Sequence, residues 1–125
     1  MIAADASSLI AYLQGESASD TDAVTAALEA AELYLPPPVL IELIGRSGTA
    51  QAYDAMAVQA GLLPITEGFW LRARQTRSAL LGRGLRARAL DTLIAQCCID
   101  ADVALITRDQ DFRHFGQWCG LKLAT

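Results

Sequence analysis

The sequence has few of the residues that build disulfide frameworks or zinc sites. Its 125 residues include three cysteines and one histidine. Cys97, Cys98 and Cys119 are odd in number, and two of them are adjacent in a helix-like segment, which suits neither paired disulfides nor zinc-ligand spacing. His114 has no second histidine or cysteine at ligand spacing. We therefore expect reduced core cysteines and a surface or hydrogen-bonded histidine.

The sequence also lacks a long apolar run. Charged, glycine or proline residues interrupt every apolar stretch well before the roughly 18 residues that a membrane span needs. The N-terminus, MIAADASSL, has no basic segment and places Asp5 inside its only apolar stretch, unlike a secretory signal. With 53% hydrophobic residues the chain can still bury a core. We expect a single cytoplasmic domain, residues 1–125, that does not enter a membrane.

Basic residues are scarce outside one segment. The net charge is −4. Residues 1–71 contain nine acids and one base, residues 72–90 contain six arginines and no acid, and residues 91–125 contain five acids and three bases. An acidic protein of this kind is not a general polyanion binder, but its arginine segment can attract a phosphate backbone to one face. A solvated helix face followed by a loop explains the same arginines equally well.

Short strands alternate with helices along the chain. The run MIAAD leads into a helix-like stretch, ASSLIAYLQG, for which Ser7, Ser8 or Asp5 could be the N-cap. Further helices are predicted at residues 19–31, 50–60, 67–81 and 91–102 and after prolines 36–38, and short strands at LLPIT, VALIT and LKLAT. This alternation predicts an α/β fold with a central parallel sheet and helices on both sides.

Carboxylates occur beside or inside apolar runs at four separate places: Asp5, Glu42, Asp91, and Asp109 with Asp111. Each place has a structural explanation, namely a helix cap, a partly exposed helix position, a helix N-terminus and a turn. However, two of the acids follow predicted parallel strands, whose carboxyl ends lie at one edge of a sheet. The joint pattern therefore predicts a group of carboxylates at that edge.

A group of carboxylates at one edge needs a counter-charge. Unpaired burial would cost on the order of several kcal/mol or force some of the groups to hold protons. A divalent cation removes this penalty, and oxygen ligands without histidine or cysteine favour Mg²⁺ or Mn²⁺. Such an ion can polarise a phosphodiester and lower the pKa of a bound water, which makes a nucleophile near neutral pH. The composition of the group therefore favours phosphodiester chemistry.

Four motifs together resemble those of a known family. IAADASSLIAYL resembles the opening strand and D-x-S turn of a PIN domain, and PPPVLIELIG resembles its Glu-bearing helix. LDTLIAQCC resembles its D-x-L-I-A helix, and LITRDQDFRHF its T-x-[DN]-x-[DE]-F strand end. The order, the spacing and the length are similar to those of VapC-type toxins over almost the whole chain. The resemblance implies a single PIN-like domain.

The resemblance also implies an activity and partners. It implies a Mg²⁺- or Mn²⁺-dependent endoribonuclease that is the toxin of a type II toxin–antitoxin system, is neutralised by a cognate antitoxin and forms a homodimer. Matched position by position, the catalytic and metal-binding acids are Asp5, Glu42, Asp91 and Asp109, with Asp111 as a supporting ligand. Ser7 and Thr107 match hydroxyl positions near the metal, where a helix cap and a strand-end hydroxyl are equally good explanations.

RNA phosphates are expected to contact Arg86, Arg88 and Arg108.

Alternative interpretations fit the sequence less well. A receiver domain needs adjacent acids after its first strand and a lysine after a late strand, but the only lysine is Lys122. A dehalogenase-type phosphatase needs a second acid where Ser7 lies. The remaining alternative is a PIN-like module that has lost turnover and binds RNA or protein.

Overall fold

A five-stranded parallel sheet forms the centre of the computed structural model, which describes residues 1–124. The strands lie in the order β3-β2-β1-β4-β5, and every neighbouring pair is parallel. Their bounds are β1 (Ile2–Ala4), β2 (Leu33–Leu35), β3 (Gly61–Leu62), β4 (Ala104–Ile106) and β5 (Lys122–Leu123). The predicted α/β fold with a central parallel sheet is confirmed.

Seven α-helices in the described residues connect the strands: α1 (Ala6–Leu13), α2 (Ser19–Glu29), α3 (Val39–Glu42), α4 (Ala50–Gln59), α5 (Phe69–Gly82), α6 (Ala89–Ala101) and α7 (Arg113–Cys119). The chain steps in one direction from β1 to β3 and in the opposite direction from β3 to β5. Right-handed connections therefore place α1 to α4 on one face of the sheet and α5 to α7 on the other. Within residues 1–124, no helix is both long enough and apolar enough to cross a membrane.

The structure differs from the sequence-based prediction at three elements. Strand β2 was not predicted, because its three residues are too few for a periodic pattern and are followed directly by Pro36. The strand predicted at LLPIT, residues 62–66, is instead Gly61–Leu62 and shares only Leu62 with the prediction. The helix after the prolines is one turn long, since Leu43 leaves the helical conformation with ψ at 70°. The strand predicted at LKLAT is β5, and Thr125 lies outside the described residues.

Large buried side chains hold the loop that follows β4. Phe112 and Phe115 are 1% and 0% exposed, and their ring centroids are 6.0 Å apart. Phe112 ends a short 3₁₀ helix, Gln110–Phe112, that leads directly into α7. The backbone around Asp109 and Asp111 is therefore anchored to the core immediately after it leaves the sheet. Cys97 and Cys98 are free and buried, as expected, whereas Cys119 is free but only partly buried.

An ion pair joins the same loop to the α1–α2 hairpin. Arg108 Nε and Nη2 donate to the two oxygens of Asp20 at 2.8 and 3.0 Å, and Nη1 donates to Glu16 Oε2 at 2.9 Å. The Asp20 side chain is 7% exposed and also accepts a 2.9 Å hydrogen bond from Ser8 Oγ. The hydrogen bond from Arg108 lowers the pKa of Asp20 to about 2. A buried carboxylate is thus fully paired across a long sequence separation.

We predict that Arg108→Ala lowers the midpoint of thermal unfolding at pH 7 by roughly 5 °C or more, because it leaves Asp20 without its cation. The exposed pair of Lys122 and Asp102 is the control, and Lys122→Ala should change the midpoint by about 2 °C or less. Since the folded pKa of Asp20 lies below its unfolded value, this stabilisation is complete above about pH 5 and decreases toward pH 2. A calorimetric difference between wild type and Arg108→Ala that did not shrink on acidification would contradict this assignment.

Candidate metal centre

Asp5 lies at the junction of β1 and α1 and is almost completely hydrogen-bonded. Its backbone N–H donates to Ile106 O at 3.1 Å, which continues the pairing of β1 with β4. Its Oδ1 accepts from Ser8 N at 3.3 Å and from Ser7 Oγ at 2.7 Å. Asp5 is therefore the N-cap of α1, and the alternative caps Ser7 and Ser8 are wrong. Only 4% of the residue is exposed.

Two hydroxyl groups fix the orientation of this carboxylate. Thr107 Oγ1 donates to Asp5 Oδ2 at 2.6 Å and accepts from Asp109 N at 3.0 Å. Ser7 Oγ lies 3.5 Å from Thr107 Oγ1. Burial raises the pKa of Asp5, while the hydrogen bonds from Thr107 and Ser7 oppose this increase. The two predicted supporting residues thus contact Asp5 directly and connect it to the loop after β4.

Three further carboxylates converge beside Asp5. Asp91, Asp109 and Asp111 each present a carboxylate oxygen, and these oxygens lie within 4.8 Å of one another. Asp91 is in the first turn of α6, whereas Asp109 caps the 3₁₀ helix by accepting a 2.9 Å hydrogen bond from Asp111 N. The resemblance favoured Asp109 as the nearer ligand and Asp111 as a supporting ligand. The structure brings both into reach of the same point.

The electrostatics connect all five predicted acids. Burial, with the nearby charges of Asp109 and Asp111, raises the pKa of Asp91 to about 6. Loss of hydration raises the pKa of Glu42, which ends α3, and three neighbouring charges add to this increase: Asp5, Asp91 and Asp109. Glu42 and Asp5 therefore interact electrostatically with this group, although neither is one of the three carboxylates whose oxygens lie together. Such mutual repulsion favours a bound cation.

The three arginines assigned to RNA are placed differently from one another. Arg86 and Arg88 are exposed beside the acids, with Arg86 Nε 3.9 Å from Asp111 Oδ2 and the charge of Arg88 lowering the pKa of Asp91. Arg108 instead directs its guanidinium to Asp20 and Glu16. The sequence contains no signal for that pairing, because the partners are distant along the chain. Contact of any of the three with RNA stays a prediction.

Other arginines of the basic segment are engaged within the protein. Arg72 forms an ion pair with Asp100 at 2.8 Å, and Arg77 Nε donates to Ala87 O at 2.8 Å. The guanidinium of Arg83 lies 3.6 Å from the centre of the Trp118 ring. Three of the six arginines in this segment therefore bind groups within the protein, whereas Arg86 and Arg88 lie beside the acids.

The donor set fits a hard divalent cation. All the converging side-chain ligands in the three-carboxylate group are oxygens, and their charges repel one another in the absence of an ion. Mg²⁺ and Mn²⁺ prefer such ligands and retain water in the remaining coordination positions. Asp91, Asp109 and Asp111 are the residues that would hold the ion, with Asp5 and Glu42 beside them.

The sequence of the whole site region matches a family model described as PIN domain, over residues 2–117. The chain belongs to the PIN domain family. The resemblance drawn from the four motifs is therefore confirmed, and the site lies at the carboxyl edge of this PIN domain. No curated protein matches the chain in sequence.

Solved structures share the fold of this PIN domain. A chain in the crystal structure of VapBC2 from Rickettsia felis, bound to a DNA fragment from its promoter, is similar with a TM-score of 0.78 and 18% identity. The match covers 98% of this chain and 97% of that one. A chain of FitAcB from Neisseria gonorrhoeae matches with a TM-score of 0.70 and 19% identity, covering 100% and 97% respectively. At these identities the likeness concerns the fold.

We predict that Asp109→Asn lowers the pKa of Asp91 in the metal-free protein, because it removes a nearby negative charge while an amide oxygen can still cap the 3₁₀ helix. The raised pKa of Asp91 makes the folded state lose stability as pH rises from 4 through about 6. The variant should therefore unfold about 1–4 °C higher than wild type at pH 7, with a smaller gain at pH 4.

Carbon-13 NMR titration of the Asp91 carboxyl and thermal unfolding measure these two effects. Asp102→Asn is the matched control, because Asp102 is exposed at the opposite end of α6. It should leave the pKa of Asp91 unchanged. An Asp91 pKa that is equal in wild type and Asp109→Asn would show that the two carboxylates do not interact.

Proposed function

We propose that this PIN-domain protein is a Mg²⁺- or Mn²⁺-dependent endoribonuclease that hydrolyses RNA phosphodiester bonds as the toxin of a type II toxin–antitoxin system. The observation that carries the proposal is the convergence of Asp91, Asp109 and Asp111, whose oxygens lie within 4.8 Å of one another. Membership of the PIN family supports nuclease chemistry over a purely structural use of these acids.

Different residues have different roles in the proposed hydrolysis. Asp91, Asp109 and Asp111 would hold the cation, which would supply Lewis-acid polarisation of the phosphate and lower the pKa of a water molecule. Asp5 lies behind them, and hydrogen bonds from Ser7, Ser8 and Thr107 hold its carboxylate in one orientation. A preorganised site of this kind needs little rearrangement when charge develops on the phosphate.

Glu42 is the proposed proton acceptor. Its side chain is at the exposed end of α3, and its pKa is raised by loss of hydration and by the surrounding acids. A carboxylate of raised pKa accepts a proton more readily from an attacking water near neutral pH. The carboxylate oxygens of Glu42 would take that proton as the water oxygen bonds to phosphorus, while the bond from phosphorus to the sugar oxygen breaks and the leaving oxygen takes up a proton from solvent.

Arg86 and Arg88 provide the phosphate contacts in this proposal. Both are exposed and lie beside the acids, where a guanidinium can bind a nonbridging phosphate oxygen. Their small number suits backbone positioning rather than recognition of a base sequence. The proposed RNA therefore approaches from the side of the loop between α5 and α6.

Purified wild type is expected to cleave RNA with Mg²⁺ or Mn²⁺, whereas Asp5→Asn and Asp91→Asn should each lower the rate by about 100-fold or more. Both substitutions remove charge but retain side-chain volume, and circular dichroism should record a retained fold. Asp102→Asn is the matched control and should cleave at the wild-type rate. Cleavage that persists in excess chelator would overturn the metal mechanism, and RNA binding without cleavage by wild type would support the inactive binding module.

The proposed partners are a cognate antitoxin and a second copy of this chain. They are supported by the fold shared with chains from the VapBC2 and FitAcB structures. Expression of wild type without its antitoxin is expected to reduce colony formation at least about tenfold, since RNA cleavage is catalytic. Co-expression of the antitoxin, or the Asp91→Asn substitution, should restore growth. Equal growth of wild type and Asp91→Asn would argue against a toxin.

A further inference from the structure

Arg108 occupies an unexpected place in the loop after β4. It lies between Thr107, which donates to Asp5, and Asp109, which belongs to the three-carboxylate group. Despite this position its guanidinium does not neutralise those acids but binds Asp20 and Glu16 on the α1–α2 hairpin. The backbone N–H of Arg108 also approaches Ser7 Oγ at 3.4 Å. The residue is thus attached to the hairpin by both its side chain and its backbone.

Asp20 connects the two parts of the site that carry carboxylates. Its Oδ2 accepts from Ser8 Oγ at 2.9 Å and from Arg108 Nε at 2.8 Å. Ser8 in turn donates its backbone N–H to Asp5 Oδ1 at 3.3 Å. A buried and fully hydrogen-bonded carboxylate therefore lies directly behind both the cap of α1 and the loop of residues 107–109. Movement of one part would break bonds that hold the other.

We propose that Arg108 and Asp20 are positioning residues for the metal centre, which hold the loop of residues 107–109 in the geometry that binds the cation. The inference rests on the proposed function. Partners that orient metal ligands typically change metal affinity by about 10- to 100-fold when they are removed. The planar fork of arginine holds both oxygens of Asp20, and a lysine ammonium cannot reproduce that geometry.

The direction of the change in metal affinity separates positioning from three other roles. If Arg108 acted on the cation only through its charge, its removal would strengthen metal binding, because like charges repel. If it contacted RNA, its removal would raise KM and leave metal affinity unchanged. If it only stabilised the fold, folded variant protein would bind metal normally. Positioning alone predicts weaker metal binding in protein that is still folded.

The test measures the Kd for Mn²⁺ by electron paramagnetic resonance, without RNA, at a temperature where circular dichroism shows that each variant is folded. Arg108→Ala and Arg108→Lys are expected to bind Mn²⁺ about 10- to 100-fold more weakly than wild type, and Asp20→Asn about 10-fold more weakly. Lys122→Ala, which removes a positive charge from an exposed pair, is the control and should stay within about twofold.

Unchanged or tighter Mn²⁺ binding by folded Arg108→Ala would overturn the inference while leaving the proposed function intact. A loss in Arg108→Ala with full retention in Arg108→Lys would also overturn it, because charge rather than the arginine fork would then be sufficient. Absence of Mn²⁺ binding by wild type would overturn the proposed function and the inference together. The three outcomes are distinguished by the same titration.

Discussion

Repulsion among carboxylates at the carboxyl edge of the sheet is the constraint on which the rest of the site depends. The parallel pairing of β1 with β4 brings the residues after both strands together, and the N-terminus of α6 adds a further acid. The chain tolerates this crowding in different ways: hydroxyl groups donate to Asp5, and the pKa values of Glu42 and Asp91 are raised. A bound cation would remove the repulsion among the carboxylates that remains after these adjustments.

The scaffold around this edge is made rigid by few but well-buried contacts. The strands are at most three residues long, so the sheet by itself fixes little. Phe112 and Phe115 anchor the loop on one side, and Asp20 holds Arg108 on the other. The apolar core on one side and a buried ion pair on the other therefore fix the same loop. Neither contact uses the converging acids, so the acids remain available to a ligand.

The sequence was sufficient for the parts of this structure that depend on local pattern. Short apolar runs identified β1 and β4, and parallel topology then brought Asp5 and Asp109, which follow these strands, to one edge. Strand β2 was missed because a three-residue strand before prolines has no periodicity. The partner of Arg108 could not be predicted, since Asp20 is brought to it by tertiary packing and not by any spacing. The choice of Asp5 as the cap likewise depended on side-chain geometry.

The double use of Asp5, as the cap of α1 and as a member of the acidic edge, limits how this chain can change in evolution. Alanine at this position would remove the negative charge and the helix cap in one step, whereas asparagine would remove the charge and keep a good cap. A substitution that removes the negative charge but keeps the helix is therefore limited to residues that cap well, and asparagine is the nearest of these in shape. The charge of Asp5 and its capping role can be separated by exchanging one carboxylate oxygen for an amide nitrogen.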